Sequence, residues 1–99
     1  MKQYRIRPGI YKVSICGSRF LIPTRKASEE CPSILKMNVM QDLSWDILEK
    51  NTFDEARTKL IKMLLLLTKT SEEKASERVD HMIDSLYHMG FLVLTEESE

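Results

Sequence analysis

The 99 residues predict an α+β fold: an antiparallel sheet first, three helices next, and a possible short strand at the end. Three observations carry this. Tyr11, Val13 and Ile15 alternate with Lys12, Ser14 and Cys16, the period-two pattern of a half-buried strand. Three later segments each open on side chains able to cap a helix and continue with apolar residues at helical spacing. Gly90 then stops the last helix, and Phe91-Leu92-Val93-Leu94 resumes an extended run. A chain of this length makes one domain, residues 1–99, with an ordered core over about 4–94 and a flexible acidic tail over 95–99.

The elements follow in order. Tyr11–Cys16 is the first strand, Gly17-Ser18 a two-residue turn of the Gly-first kind, and Arg19–Ile22 the returning strand. Pro23 ends it, having no N–H for the ladder. The polar stretch Thr24–Pro32 reads as a long mobile loop, and Ser33–Met37 as a third strand. Asn38 caps the next helix, with Gln41 reaching back, and Asn51 closes it in a left-handed conformation. Met40, Leu43, Ile47 and Leu48 recur along that helix, with Trp45 beside them. Thr52 and Glu55 form the second capping box, opening a helix that buries Phe53, Ala56, Leu60, Met63, Leu64 and Leu67. Thr70 and Glu73 form the third, and Val79, Met82, Ile83 and Leu86 make the stripe that follows.

Composition narrows the function. Apolar residues at 42% and charged residues at 30% describe a globular chain. Net charge is zero but uneven: residues 1–26 hold seven bases and no acid, leaving eight bases and fifteen acids beyond. Such a distribution either joins two ends of one fold or steers a partner. Cys16 and Cys31 have no metal-binding spacing; His81, Asp84 and His88 share a helical face but lack a fourth ligand. No metal or cofactor is expected. The longest apolar run, Met63–Leu67, is far too short for a bilayer, and no signal-peptide h-region is seen. These features predict a cytoplasmic chain with reduced thiols and no membrane partner.

Catalysis is not expected either. There is no nucleophile elbow, glycine-rich phosphate loop or HExxH motif. Glu29 and Glu30 beside Cys31 disfavour its thiolate. The order of strands and helices is winged-helix-like, which places the segment from Ser71 where such a domain keeps its DNA-reading helix. Yet Ser71–Met89 carries five acids against two bases, and phosphates repel that balance. A nucleic-acid partner is therefore not expected, although topology and the basic first 26 residues keep a DNA-binding regulator as one alternative. A dimerisation or adaptor module is another, and the chain is expected as monomer or dimer. The third strand, if it lies at a sheet edge, either accepts an extended peptide or is guarded by Lys36 and the preceding loop. Met37 and Met82 fill either the core or a groove beside that strand.

The ordered set Met37-Asn38, Trp45, Thr52-x-x-Glu55 and Val79-x-x-Met82-Ile83-x-x-Leu86-x-x-x-Gly90 resembles the PqqD-like family. These are bacterial peptide chaperones of pyrroloquinoline quinone synthesis, with related recognition domains of ribosomally made, modified peptides. The resemblance spans nearly the whole chain, from the hairpin to Val93. Lys50-Asn51 stands where the family has Asp-Gly, and Thr24–Pro32 is longer than its usual connection. The resemblance implies a non-catalytic module that binds the leader segment of a precursor peptide. The leader adds to the third strand and packs against the third helix. That places the site on Ile34, Leu35, Lys36 and Met37, with Arg78, Val79, Met82 and Ser85 opposite. It also implies a partner enzyme: a radical S-adenosylmethionine protein, a cyclase or a leader protease.

Overall fold

The computed structural model describes residues 3–95. Its elements are β1 (Gln3–Ile6), β2 (Ile10–Ile15), β3 (Ser18–Pro23), α1 (Ala27–Glu30), β4 (Leu35–Lys36), α2 (Val39–Lys50), α3 (Phe53–Leu67), α4 (Glu72–Met89) and β5 (Leu92–Thr95). The expected α+β architecture is present, with a three-stranded antiparallel sheet in the order β2-β3-β4. A second, two-stranded sheet joins β1 to β5, in the register Gln3↔Thr95 to Ile6↔Leu92. Thr95 thus belongs to a strand rather than to an acidic tail; residues 96–99 of that expected tail lie outside the described residues.

The β2–β3 turn is Cys16-Gly17 rather than Gly17-Ser18. Both residues have positive φ, 51° and 82°, the signature of the turn whose twist suits a two-residue hairpin. The ladder accordingly begins at Ile15↔Ser18 and continues to Ile10↔Pro23. The stretch over 24–32 is not a loop throughout. It contains α1, whose Ala27 is buried together with the following Cys31. β1 is also unanticipated, and long-range bonds just after it anchor the chain: Arg7 N–H donates to the Phe91 carbonyl at 3.0 Å and Arg7 Nε to the Gly90 carbonyl at 2.7 Å.

The helix starts follow local chemistry. Asn38–Gln41 and Thr52–Glu55 form both reciprocal capping boxes. At α4 the cap is Ser71, whose hydroxyl accepts from Lys74 N–H at 3.2 Å, rather than Thr70. α2 closes on Asn51 in extended, not left-handed, backbone, with the Asn51 amide donating to the Ile47 carbonyl at 2.8 Å. Gly90 does take the left-handed conformation at the end of α4, with φ 97°. A side chain there would meet the Glu30 carbonyl and Cys31 Cβ, each at 2.9 Å, so glycine is required twice over.

Leu21, Trp45, Leu60, Val79, Ile83, Leu86, Phe91 and Leu92 are fully or almost fully buried and make one core between sheet and helices. Each such large side chain contributes on the order of 1.5–3 kcal/mol by leaving water. Leu67, expected on the buried stripe of α3, is 66% exposed because it sits in the last turn, and Leu43 of α2 is also exposed. The basic hairpin faces acidic helix: Lys12 lies between Asp42 and Asp46, bonding Asp42 at 2.6 Å, and Arg19 approaches Asp42 at 3.9 Å. No helix among the described residues is long and apolar enough to cross a membrane.

Candidate functional site

β4 is held on one side only. It pairs with β3 through Phe20↔Lys36 and Leu21↔Leu35, and Met37 N–H donates to the Arg19 carbonyl at 2.9 Å. Antiparallel pairs alternate between those that exchange hydrogen bonds and those that do not. The bond at Met37 makes Arg19↔Met37 and Leu21↔Leu35 the bonded pairs. The N–H and C=O of Ile34 and Lys36 therefore point to the open edge, where no hydrogen bond among the described residues takes them up. Side chains alternate as well. Leu35 packs on the core and Met37 is buried, whereas Ile34 is 62% exposed and Lys36 is exposed.

α4 presents three strips lengthwise. Ala75, Val79, Ile83 and Leu86 are its buried stripe. On one flank, Ser76 and Asp80 bind Arg57 of α3, with Arg57 Nε to Asp80 at 2.7 Å and Arg57 Nη2 to Ser76 Oγ at 2.8 Å. Tyr87 on that flank packs at a tilt against Tyr4 of β1, ring centroids 5.1 Å apart. The other flank carries Arg78, Met82, Ser85 and Met89 at i, i+4, i+7 and i+11. At its end the Cys31 thiol donates to the Met89 carbonyl at 3.3 Å, so the chain entering β4 crosses the C-terminal end of α4.

Of the eight residues expected at the site, the structure thus leaves Ile34, Lys36 and Arg78 exposed and Leu35, Met82 and Ser85 half-buried. Met37 and Val79 are buried, placing them beneath the surface as support rather than as contacts. Leu35 and Met82 pack against the same core, and no hydrogen bond among the described residues joins β4 to α4.

Two features escape a reading of the sequence. An open cleft of about 620 Å³ lies on the α3 flank of α4, lined by Tyr4, Phe53, Arg57, Glu77, Asp80, His81, Ile83 and Asp84. Its charges are partly matched: Arg57 is held protonated beyond its usual range by the hydrogen bonds and charge of Asp80. The unread strand β1 supplies its Tyr4 wall, which is why the cleft is not visible in helical periodicity. The second feature is the state of Cys31. Burial pushes its thiol up, outweighing the opposing Ser33 backbone and Arg7 charge, so burial rather than Glu29 and Glu30 disfavours its thiolate. His88 Nε2 lies 3.3 Å from Asp84, both exposed, and no group of three metal-ligating side chains occurs among the described residues.

Comparison of the chain with protein-family models, curated proteins and solved structures gives no match.

Proposed function

We propose that this protein is a non-catalytic peptide-binding module of the PqqD-like kind, which captures the leader segment of a precursor peptide in the cytoplasm and presents it to a modifying enzyme. The open edge of β4 carries this reading. Ile34 and Lys36 offer unpaired N–H and C=O groups to an incoming strand, and the exposed Ile34 side chain adjoins them. The Arg78–Met82–Ser85 flank of α4 supplies polarizable apolar surface with polar ends, suited to side chains of varied shape. Binding the leader raises the local concentration of the attached core peptide at the partner enzyme without any chemistry by the module itself. A radical S-adenosylmethionine protein, a cyclase or a leader protease fits that role.

A duplex-binding regulator has less support. Lys12, Arg19 and Arg57 are already engaged by carboxylates, and Glu72, Glu73, Glu77, Asp80 and Asp84 of α4 are exposed. Such a surface repels phosphate.

Calorimetric titration with the synthetic leader of a precursor encoded beside this chain tests the proposal. Saturable one-to-one binding is expected, with a dissociation constant on the order of 1 μM. Lys36→Pro removes only an outward N–H, so it leaves the β3–β4 bonds in place and weakens binding by at least about tenfold, whereas Lys36→Ala largely retains it. Met82→Asp weakens it as well by placing a charge against the bound chain. Failure of every neighbouring leader to bind, or indifference to Lys36→Pro, overturns the reading.

A further inference from the structure

β2 is the other outer strand of the three-stranded sheet, and of the devices that usually keep such an edge single it carries one, an inward-pointing lysine. It contains no proline, and its six pairs with β3 run without a bulge. Its one charged residue, Lys12, lies on the inner face and is neutralised by Asp42 and Asp46. On the outer face Tyr11 is 60% and Ile15 50% exposed, with Val13 between them.

The hairpin also fixes which backbone groups are free. In a two-residue hairpin the pair next to the turn exchanges both hydrogen bonds, and every second pair after it does the same. Ile15, Val13 and Tyr11 are therefore bonded to β3, and the N–H and C=O of Ser14 and Lys12 point outward. No hydrogen bond among the described residues takes these up.

We propose that β2 is the self-association edge of this protein, pairing antiparallel with β2 of a second copy about a two-fold axis at Val13. Residues directly opposite in an antiparallel pair share a face, so the axis must fall on a residue. At Lys12 it would set two ammonium groups opposite each other. At Ser14 it would leave Tyr11 facing the turn. At Val13, Tyr11 of each copy lies across from Ile15 of the other, and Lys12 across from Ser14. The two most-exposed apolar side chains of the strand then pack side by side across the junction, the outward backbone groups are paired, and no like charges meet. The product is a continuous six-stranded sheet whose two ends are the β4 strands, so self-association leaves the β4 edges open. It is independent of whether a peptide binds there.

Sedimentation of the full chain from about 1 μM to 1 mM tests self-association, and cross-linking tests its register. A concentration-dependent rise toward twice the 11.6 kDa chain mass is expected. In a Cys16→Ser background, Val13→Cys gives a disulfide-linked dimer on mild oxidation, because Cα atoms of a facing non-bonded pair lie about 4.5 Å apart, within disulfide reach. Ser14→Cys, placed opposite Lys12, does not. Ser14→Pro and Val13→Lys each weaken association at least about tenfold while circular dichroism keeps the folded signature. The proposal is overturned by a single-chain mass throughout, by a dimer that both variants tolerate, or by cross-linking as efficient at position 14 as at 13. A leader peptide that dissociates the dimer also overturns it, since that would make β2 the peptide edge.

Discussion

Lys12 shows how one residue settles what the charge distribution leaves open. Its ammonium is mostly buried between Asp42 and Asp46. Burial alone would push it down, but the hydrogen bonds and charges of both carboxylates outweigh burial and raise it. A lysine whose folded pKa lies above its unfolded value of 10.5 stabilises the fold fully below that pH. The contribution is then lost as pH rises through the folded value. Lys12→Met is expected to cost about 1–2 kcal/mol near neutral pH, because it also leaves two facing carboxylates without their counter-ion. In urea denaturation followed against pH, the gap between the parent and Lys12→Met closes above pH 10.5. Of the basic residues expected to steer a partner, Lys12 is committed within the fold, and only the folded contacts distinguish it from an exposed neighbour such as Lys26.

At the scale of elements, helices were the most legible part of the chain because their starts rest on contacts three residues apart. Two of the three capping boxes occur as read; the third is absent, replaced by a one-sided cap from Ser71, whose hydroxyl is equivalent to that of Thr70 but whose third residue, Lys74, has no acceptor to reach back. Ser71→Ala is expected to lower stability by about 1 kcal/mol, and Thr70→Ala by much less. Thermal denaturation followed by circular dichroism separates the two. The strands were less legible for a physical reason. β1 is four residues long and draws its bonds from β5 across almost the whole chain, so no local pattern announces it. β4 is shorter than the apolar run around it, because only Leu35 and Lys36 lie within the β3 ladder. Apolar spacing alone also did not distinguish Met37 and Val79, which are buried in the core, from Met82, which reaches the surface: all three satisfy it.

For the molecule as a whole, residues of both sheets and of the three longer helices share one buried core that includes Trp45, and β1 packs against α2 and α3 as well as pairing with β5. Tyr4 takes part in that packing, lying 5.5 Å from the Phe53 ring and 5.1 Å from the Tyr87 ring. Tyr4→Ala is expected to cost about 2–4 kcal/mol in urea denaturation and to speed amide exchange in both β1 and β5. A loss confined to β1, with β5 exchange unchanged, would show the two strands to be independent. The β1–β5 pairing has a mechanical consequence too. Gln3 and Thr95 face each other at one end of an antiparallel ladder. Tension applied to the two ends of the chain therefore loads that ladder one pair at a time, as a zipper, rather than shearing all its bonds at once. Unzipping then reaches Arg7, whose backbone and side chain hold the Phe91 and Gly90 carbonyls at the end of α4.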